Sequence, residues 1–192
     1  MSKLILASSS PRRLMLLEQI GVKPDAVDPA DIDESVHKGE SPRNYVLRVA
    51  AEKARVVAAR HPAAFVLSGD TTVTMGRRFL HKPESLQDAE HCWSLLPGRK
   101  HKVLTAVSLI APDGRQVSKL TEAAVTFRNM SPEEVAAYLA TEEWKGVAGA
   151  YKYQGIAAKY IRATQGNSAV IIGLPVYEVS QMLTSLGYRN AA

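Results

Sequence analysis

Apolar residues recur along this chain at two spacings, and together they predict alternating strands and helices. Runs of apolar and β-branched residues predict strands near 4–7, 65–68, 101–111, 115–128 and 156–163. Repeats at three and four residues predict helices near 11–20, 42–60, 86–97, 132–141 and 175–186. Strands therefore interleave with helices, and the sequence predicts an α/β fold with a mixed twisted sheet and flanking helices.

The predicted helix over 42–60 has one charged residue on its apolar face. Val49, Lys53 and Val57 share the apolar stripe at four-residue spacing. A lysine in such a stripe either extends its ammonium past the apolar surface into solvent or directs it at a ligand. Both interpretations remain open on the pattern alone.

The stretch SSSPRR at 8–13 links the first predicted strand to the first predicted helix. A serine at the cap and Pro11 at the first helical position are typical of a helix start. Backbone NH groups there, together with the serine hydroxyls, Arg12 and Arg13, would suit an anion such as phosphate. An ordinary capped helix with solvated arginines is the alternative.

A second candidate for chemistry follows the apolar run that starts at Phe65. The strand is expected to end at Ser68, which would place Gly69 and Asp70 at its carboxyl end, where reactive side chains often lie. A turn-capping aspartate is the alternative for Asp70.

Composition and charge narrow the class of partner. The 192 residues are 46% hydrophobic, and 24 lysines and arginines against 19 acidic residues give a net charge of +5. The cations are dispersed along the chain, which favours a small polyanion over a long nucleic acid. The N-terminal apolar run is too short for a signal sequence, and no apolar run reaches membrane-spanning length, so we expect a cytoplasmic protein.

The numbers and spacing of certain residues disfavour disulfides, zinc sites and P-loops. A single cysteine, Cys92, excludes an internal disulfide framework and is expected to be buried and inert. The five histidines show no zinc-ligand spacing. The chain also lacks the Walker pattern of P-loop NTPases.

The motifs taken together resemble one family. The chain contains, in this order, LASSSPRR, DES, YVLRVAAEKA, GDTTV, KP, GRKHKVLTAV, AGAYKYQG and IIGLP. This order resembles the Maf proteins, nucleoside triphosphate pyrophosphatases that are also called septum formation inhibitors. SPRR and YQG resemble the branch that acts on dTTP and UTP. In the branch that acts on methylated guanine nucleotides, a tryptophan enters the first motif and a glutamate replaces the glutamine.

The resemblance implies a single domain over 1–192, with two lobes around a deep cleft as in the inosine triphosphate pyrophosphatase group. It also implies a homodimer, a divalent cation (Mg²⁺ or Mn²⁺), and hydrolysis of a nucleoside triphosphate to the monophosphate and pyrophosphate. The implied catalytic residues are Arg13, Lys53, Asp70 and Lys82. The implied substrate-binding residues are Ser8, Arg12, Arg13 and Gln154. The implied metal ligands are Glu34 and Asp70.

Three positions depart from the family pattern. The family usually has alanine, lysine and asparagine where this chain has Gly69, Val147 and Val170. Two roles are open for Gln154, since its amide complements the edge of uracil or thymine but could also simply hold its loop.

The alternative function is a nucleotide- or nucleic-acid-binding regulator of septum formation without turnover. Nucleic-acid binding is disfavoured because the implied cations lie in separate elements beside carboxylates and form no continuous basic stripe. A nucleotide-binding division factor without catalysis stays open.

Overall fold

The computed structural model describes residues 2–189, and their strands form one mixed sheet of seven strands. The strands are β1 (Leu4–Ala7), β2 (Ala26–Val27), β3 (Phe65–Met75), β4 (Arg78–Leu80), β5 (Lys100–Ile110), β6 (Gln116–Phe127) and β7 (Ile161–Gln165). The α-helices are α1 (Pro11–Gln19), α2 (Pro42–Arg60), α3 (Leu86–Leu95), α4 (Pro132–Leu139), α5 (Ser168–Ile172) and α6 (Val176–Ser185), with 3₁₀ helices at Ala148–Ala150 and Ile156–Tyr160. The predicted α/β class with a mixed sheet is confirmed.

The sheet has the order β2-β1-β3-β5-β6-β7, and β4 pairs with β3. β1 runs parallel to both β2 and β3, with Leu6 opposite Val27 and Leu67. β4 is antiparallel to β3, and β7 is antiparallel to β6. All four residues of β1 are buried, as is typical of a parallel strand inside a sheet.

The chain folds into two compact units. Among the described residues, the first unit comprises 2–70, 105–121 and 173–189, and the second comprises 71–104 and 122–172. In the first unit α2 packs on the sheet through a buried cluster that includes Ile5, Val57 and Val66. No helix within residues 2–189 combines the length and hydrophobicity needed to span a bilayer.

The second unit has an aromatic core around Trp93. Its ring lies 5.2 Å from that of Phe127 and 4.4 Å from that of Tyr138, measured between centroids. The indole NH donates to the carbonyl of Ala150 at 3.0 Å, so the polar atom of this buried side chain is satisfied. Cys92 is buried in the same core, as predicted.

Most helix starts follow their sequence signals. Capping boxes begin α3 at Ser85 and α4 at Ser131, and the Ser41 hydroxyl caps α2. The predicted bounds of these three helices are confirmed to within one or two residues, because local capping fixes a helix end with little help from the rest of the fold.

Strand ends were predicted less well. β3 continues past Ser68 through Asp70 to Met75, because three threonines and a valine extend it with β-branched side chains. The segment 156–163, predicted as a strand, is a 3₁₀ helix up to Tyr160 and a strand only from Ile161. The two-residue β2 and the five-residue α5 were not predicted, since neither is long enough to show a period.

His101 gives the second unit a pH-dependent stability. It is 2% exposed, its ring stacks on Phe127, and its Nε2 lies 2.8 Å from the Tyr151 hydroxyl. Burial lowers the pKa of His101 to about 4, below the ordinary value of about 6.5. As the pH decreases from about 6.5 toward 4, the unfolded chain protonates His101 before the folded chain does. The free energy of unfolding therefore falls over this range.

We therefore expect the wild type to lose about 2 kcal/mol more than His101→Gln between pH 7 and pH 5, from this group alone. Urea unfolding of both proteins at the two pH values measures the difference. Equal losses would show that His101 is not held neutral in the folded state.

Candidate functional site

One lysine and two carboxylates meet in the first unit. Lys53 of α2 places its Nζ 3.0 Å from Oδ1 of Asp70 in β3 and 2.9 Å from Oε1 of Glu34 in the segment before α2. Lys53 is 8% exposed and Asp70 4% exposed. An ammonium this well buried and held by two carboxylates does not reach into solvent, so the solvent-directed interpretation of Lys53 is wrong.

The packing of α2 on β3 explains this meeting. Ser68 and Asp70 lie on the same face of β3, because side chains alternate along a strand. The Ser68 hydroxyl donates to the carbonyl of Ala50 at 2.5 Å, and Lys53 lies about one turn further along the helix. Asp70 is therefore in the middle of a strand, and its interpretation as a turn cap is wrong.

Two donors from α2 hold the backbone next to Glu34. The Tyr45 hydroxyl donates to the Glu34 carbonyl at 3.1 Å, and Arg48 Nη2 donates to the Ser35 carbonyl at 2.9 Å. Arg48 also binds both oxygens of Glu40, at 2.8 and 2.9 Å. The segment has no helix or strand of its own between 28 and 41, so these bonds position Glu34.

Two pKa shifts follow from this arrangement. Burial, with Asp70 and Glu34 adding to it, raises the pKa of Tyr45 above its ordinary value, so that the phenol keeps its proton and remains a donor. The hydrogen bonds from Arg48 lower the pKa of Glu40 to about 2. Both interactions therefore persist at neutral pH.

The serine and arginine turn of the first unit is built around Ser8. The buried Ser8 hydroxyl oxygen accepts from Arg13 Nη1 at 2.8 Å and from the Ser10 amide at 3.3 Å. Arg13 Nε donates to the Gly173 carbonyl at 2.9 Å. Ser10 occupies the cap position of α1, but its hydroxyl makes no capping bond within the described first turn, so the expected serine cap is wrong in this respect.

Arg13 is held by hydrogen bonds to Ser8 and Gly173. The alternative of a solvated arginine is therefore wrong for this residue. Burial lowers the pKa of Arg13, and Asp70 and Glu34 oppose this effect while Arg12 adds to it. Burial also lowers the pKa of Arg12, which is half-buried. The guanidinium of Arg13 thus shares the electrostatic environment of the carboxylates that Lys53 joins.

Gly69 leaves room for Arg13. A Cβ atom at this position would lie 3.2 Å from Arg13 Nε and 3.4 Å from the Ala106 carbonyl oxygen. This distance is tighter than ordinary contact, so an alanine would require the guanidinium to shift slightly.

The second unit carries Lys82 and Gln154, and both are exposed. Lys82 lies between β4 and α3, and Gln154 lies between the two 3₁₀ helices. The Gly149 amide donates to the His81 carbonyl at 3.4 Å and so connects the two segments. Gly149 has φ +72°, and a Cβ atom there would meet Val73 at about 3 Å, so glycine is required.

The segment before Gln154 is anchored at consecutive residues. Trp93 donates to the Ala150 carbonyl, and Tyr151 shares a hydrogen bond with His101. Val147 and Val170, two of the three departures from the family pattern, are buried in this unit. They pack in its interior, where a lysine or asparagine would bring a polar group.

The donor set of Glu34 and Asp70 fits a divalent cation. Their oxygens converge on one cationic atom, Lys53 Nζ, which stands in for an ion at this place. Within residues 2–189 no cluster of three or more His, Cys, Asp or Glu side chains could hold a metal. Two carboxylates are nevertheless sufficient for Mg²⁺, which commonly takes its other ligands from water and substrate phosphates.

Comparison with known proteins identifies the family. Residues 3–186 match the family model described as Maf-like protein. The chain belongs to the Maf family. A dTTP/UTP pyrophosphatase of Caulobacter vibrioides is 54% identical over 186 residues, which cover 97% of this chain and 96% of that protein. A dTTP/UTP pyrophosphatase of Rhodospirillum rubrum is 47% identical, over 97% of this chain and 89% of that protein.

Among solved structures, the Maf chain matches a nucleoside-triphosphatase/dITP/XTP pyrophosphatase of Mycobacterium abscessus at 17% identity. The match has a TM-score of 0.43 and covers 72% of this chain and 94% of that one.

Tyr45 is expected to hold the Glu34 segment in this Maf protein. Replacing Tyr45 with Phe removes one hydrogen bond, worth about 1 kcal/mol, and should speed amide exchange over residues 33–40 about fivefold. Hydrogen exchange read by mass spectrometry measures this. Tyr188→Phe, at a tyrosine of the same unit that packs edge-on against Phe65, is the matched control. Equal exchange in all three proteins would contradict a holding role for Tyr45.

Proposed function

We propose that this Maf-family chain hydrolyses dTTP and UTP to the nucleoside monophosphate and pyrophosphate. The observation that carries the proposal is the buried ammonium of Lys53 between Glu34 and Asp70, in the same unit as Arg13. The names of its relatives support the pyrimidine substrates. We include in the proposal the single domain over 1–192, the homodimer and the cytoplasmic location that the resemblance implies.

Cleavage between the α and β phosphates requires cations that neutralise the negative charge on the phosphoryl oxygens, and it requires a positioned water. Arg13 and Lys53 supply charge from partly or fully buried positions, where electrostatic interactions are stronger than at a surface. We assign Lys82 to the same task. Ser8 and Arg12 bind the triphosphate beside the start of α1, whose backbone dipole favours an anion.

Asp70 and Glu34 have the second task. They would hold Mg²⁺ or Mn²⁺, which supplies further positive charge to the phosphoryl oxygens when bound. Asp70 also accepts a proton from the attacking water in this proposal, since it is the more buried of the two carboxylates.

The function is tested by pyrophosphate release. We expect the purified protein with Mg²⁺ to convert dTTP and UTP to monophosphate and pyrophosphate, and Asp70→Asn to lose this activity because the amide cannot accept the proton or bind the cation as strongly. Asp113→Asn, in the exposed turn between β5 and β6, is the matched control and should keep wild-type turnover. Binding of dTTP by the wild type without any product would favour the regulator without turnover.

Gln154 is assigned to reading the base. A uracil or thymine edge offers an NH donor beside a carbonyl acceptor, which a glutamine amide complements. A guanine edge offers two neighbouring donors, which suit a carboxylate. Discrimination of this kind is strong because a mismatched base leaves polar groups unpaired.

We expect Gln154→Glu to lower kcat/KM for dTTP and UTP about 10- to 100-fold relative to guanine nucleotides. Steady-state kinetics on dTTP, UTP and guanine triphosphates measure this ratio of kcat/KM values. Gln165→Glu makes the same chemical change at an exposed site on β7 and should leave the ratio unaltered. An equal loss on every triphosphate would mean that Gln154 holds its loop and does not read the base.

A further inference from the structure

Lys53 takes up the same oxygens that a divalent cation would use. Its Nζ binds Asp70 Oδ1 at 3.0 Å and Glu34 Oε1 at 2.9 Å, so one ammonium is shared by both carboxylates. From this geometry we propose that Lys53 acts as an internal competitor of the divalent cation, and that nucleotide relieves the competition by giving the ammonium a phosphate partner. The inference rests on the proposed function and adds an order to the binding of its ligands.

The two cations cannot share these oxygens at low cost. Mg²⁺ held by both carboxylates would take the oxygens that the ammonium now binds, which would bring the two cations into close proximity. Repulsion between them is weakly screened because Lys53 and Asp70 are almost fully buried. Lys53 would therefore have to leave these oxygens for the ion to bind.

Arg13, the cation near this pair, does not reduce the repulsion between Lys53 and a divalent ion. Arg13 is tied to the Ser8 hydroxyl and the Gly173 carbonyl, so it stays beside the carboxylates and adds to the positive charge. Lys53, by contrast, has a flexible four-carbon stem and three rotatable donors. It can exchange carboxylate oxygens for the oxygens of a bound triphosphate without movement of the helix.

The consequence is coupling between two ligands. Divalent cation alone binds weakly, because it must expel an ammonium that has no other anion to join. Triphosphate supplies that anion, so each ligand raises the affinity for the other. A lysine with a purely structural role predicts the opposite effect of mutation, since its loss would disorder the carboxylates and weaken cation binding.

The test measures Mn²⁺ binding in the absence of nucleotide. The concentration of free Mn²⁺ is read from its electron paramagnetic resonance signal. We expect Lys53→Met to bind Mn²⁺ about tenfold or more tightly than the wild type, since close charge pairs couple at least this strongly. Arg60→Met, which removes one positive charge at the last residue of α2, should bind within about twofold of the wild type. Adding Glu34→Gln to Lys53→Met should abolish the gain.

Stability gives a second readout. Lys53→Met leaves two carboxylates without their cation, so it should unfold at a lower temperature than the wild type, and Mn²⁺ should raise its unfolding temperature more than that of the wild type. Lys53→Gln, whose amide can donate to one carboxylate, replaces it in both measurements if the Met variant does not fold.

The outcomes separate this inference from the proposed function. Mn²⁺ affinity in the Lys53 variant equal to or below that of the wild type overturns the competition, even if the wild type hydrolyses dTTP. Tighter Mn²⁺ binding in the variant upholds the competition, even if the wild type releases no pyrophosphate.

Discussion

The first unit is organised around a buried ammonium that two carboxylates share. Removing one partner of a buried ion pair typically costs about 3–5 kcal/mol, because the remaining charge stays away from water. Lys53 and Asp70 therefore depend on each other, and the exposed Glu34 adds a second carboxylate from another part of the chain. The packing of α2 on β3 brings two of them together, and the bonds from Tyr45 and Arg48 bring the third.

How far the sequence predicts this site differs from residue to residue. Lys53 stands out because a charged residue interrupts an apolar helical stripe, and local periodicity is enough to show that. Asp70 was found for the wrong reason, since it lies in mid-strand and not at a strand end. The position of Glu34 could not be predicted, because its segment has no period and is held by hydrogen bonds from a distant part of α2.

Tyr45 and Arg48 show why such positioning residues escape sequence reasoning. Both lie in the quoted motif YVLRVAAEKA, yet a tyrosine or arginine on a helix usually needs no explanation beyond packing or solvation. Their role depends on which carbonyls they reach, and that is decided by the path of the 28–41 segment. In the second unit, His101 holds the segment of Gln154 through Tyr151 across about fifty residues of sequence, which local patterns cannot reveal.

The start of α1 differs from two other starts that share its Ser-Pro sequence. At α4, Glu133 and Glu134 follow the proline and Glu134 completes a capping box, and at α2 the Ser41 hydroxyl accepts from the Asn44 amide. At α1 the next residues are Arg12 and Arg13, and cations in the first turn oppose the helix dipole. Helix stability alone would not select them. The charge of Arg13 is offset by Asp70 and Glu34 in the free protein, and a bound polyanion would offset both arginines further, so the residues that weaken this helix start would suit the phosphate binding that we propose.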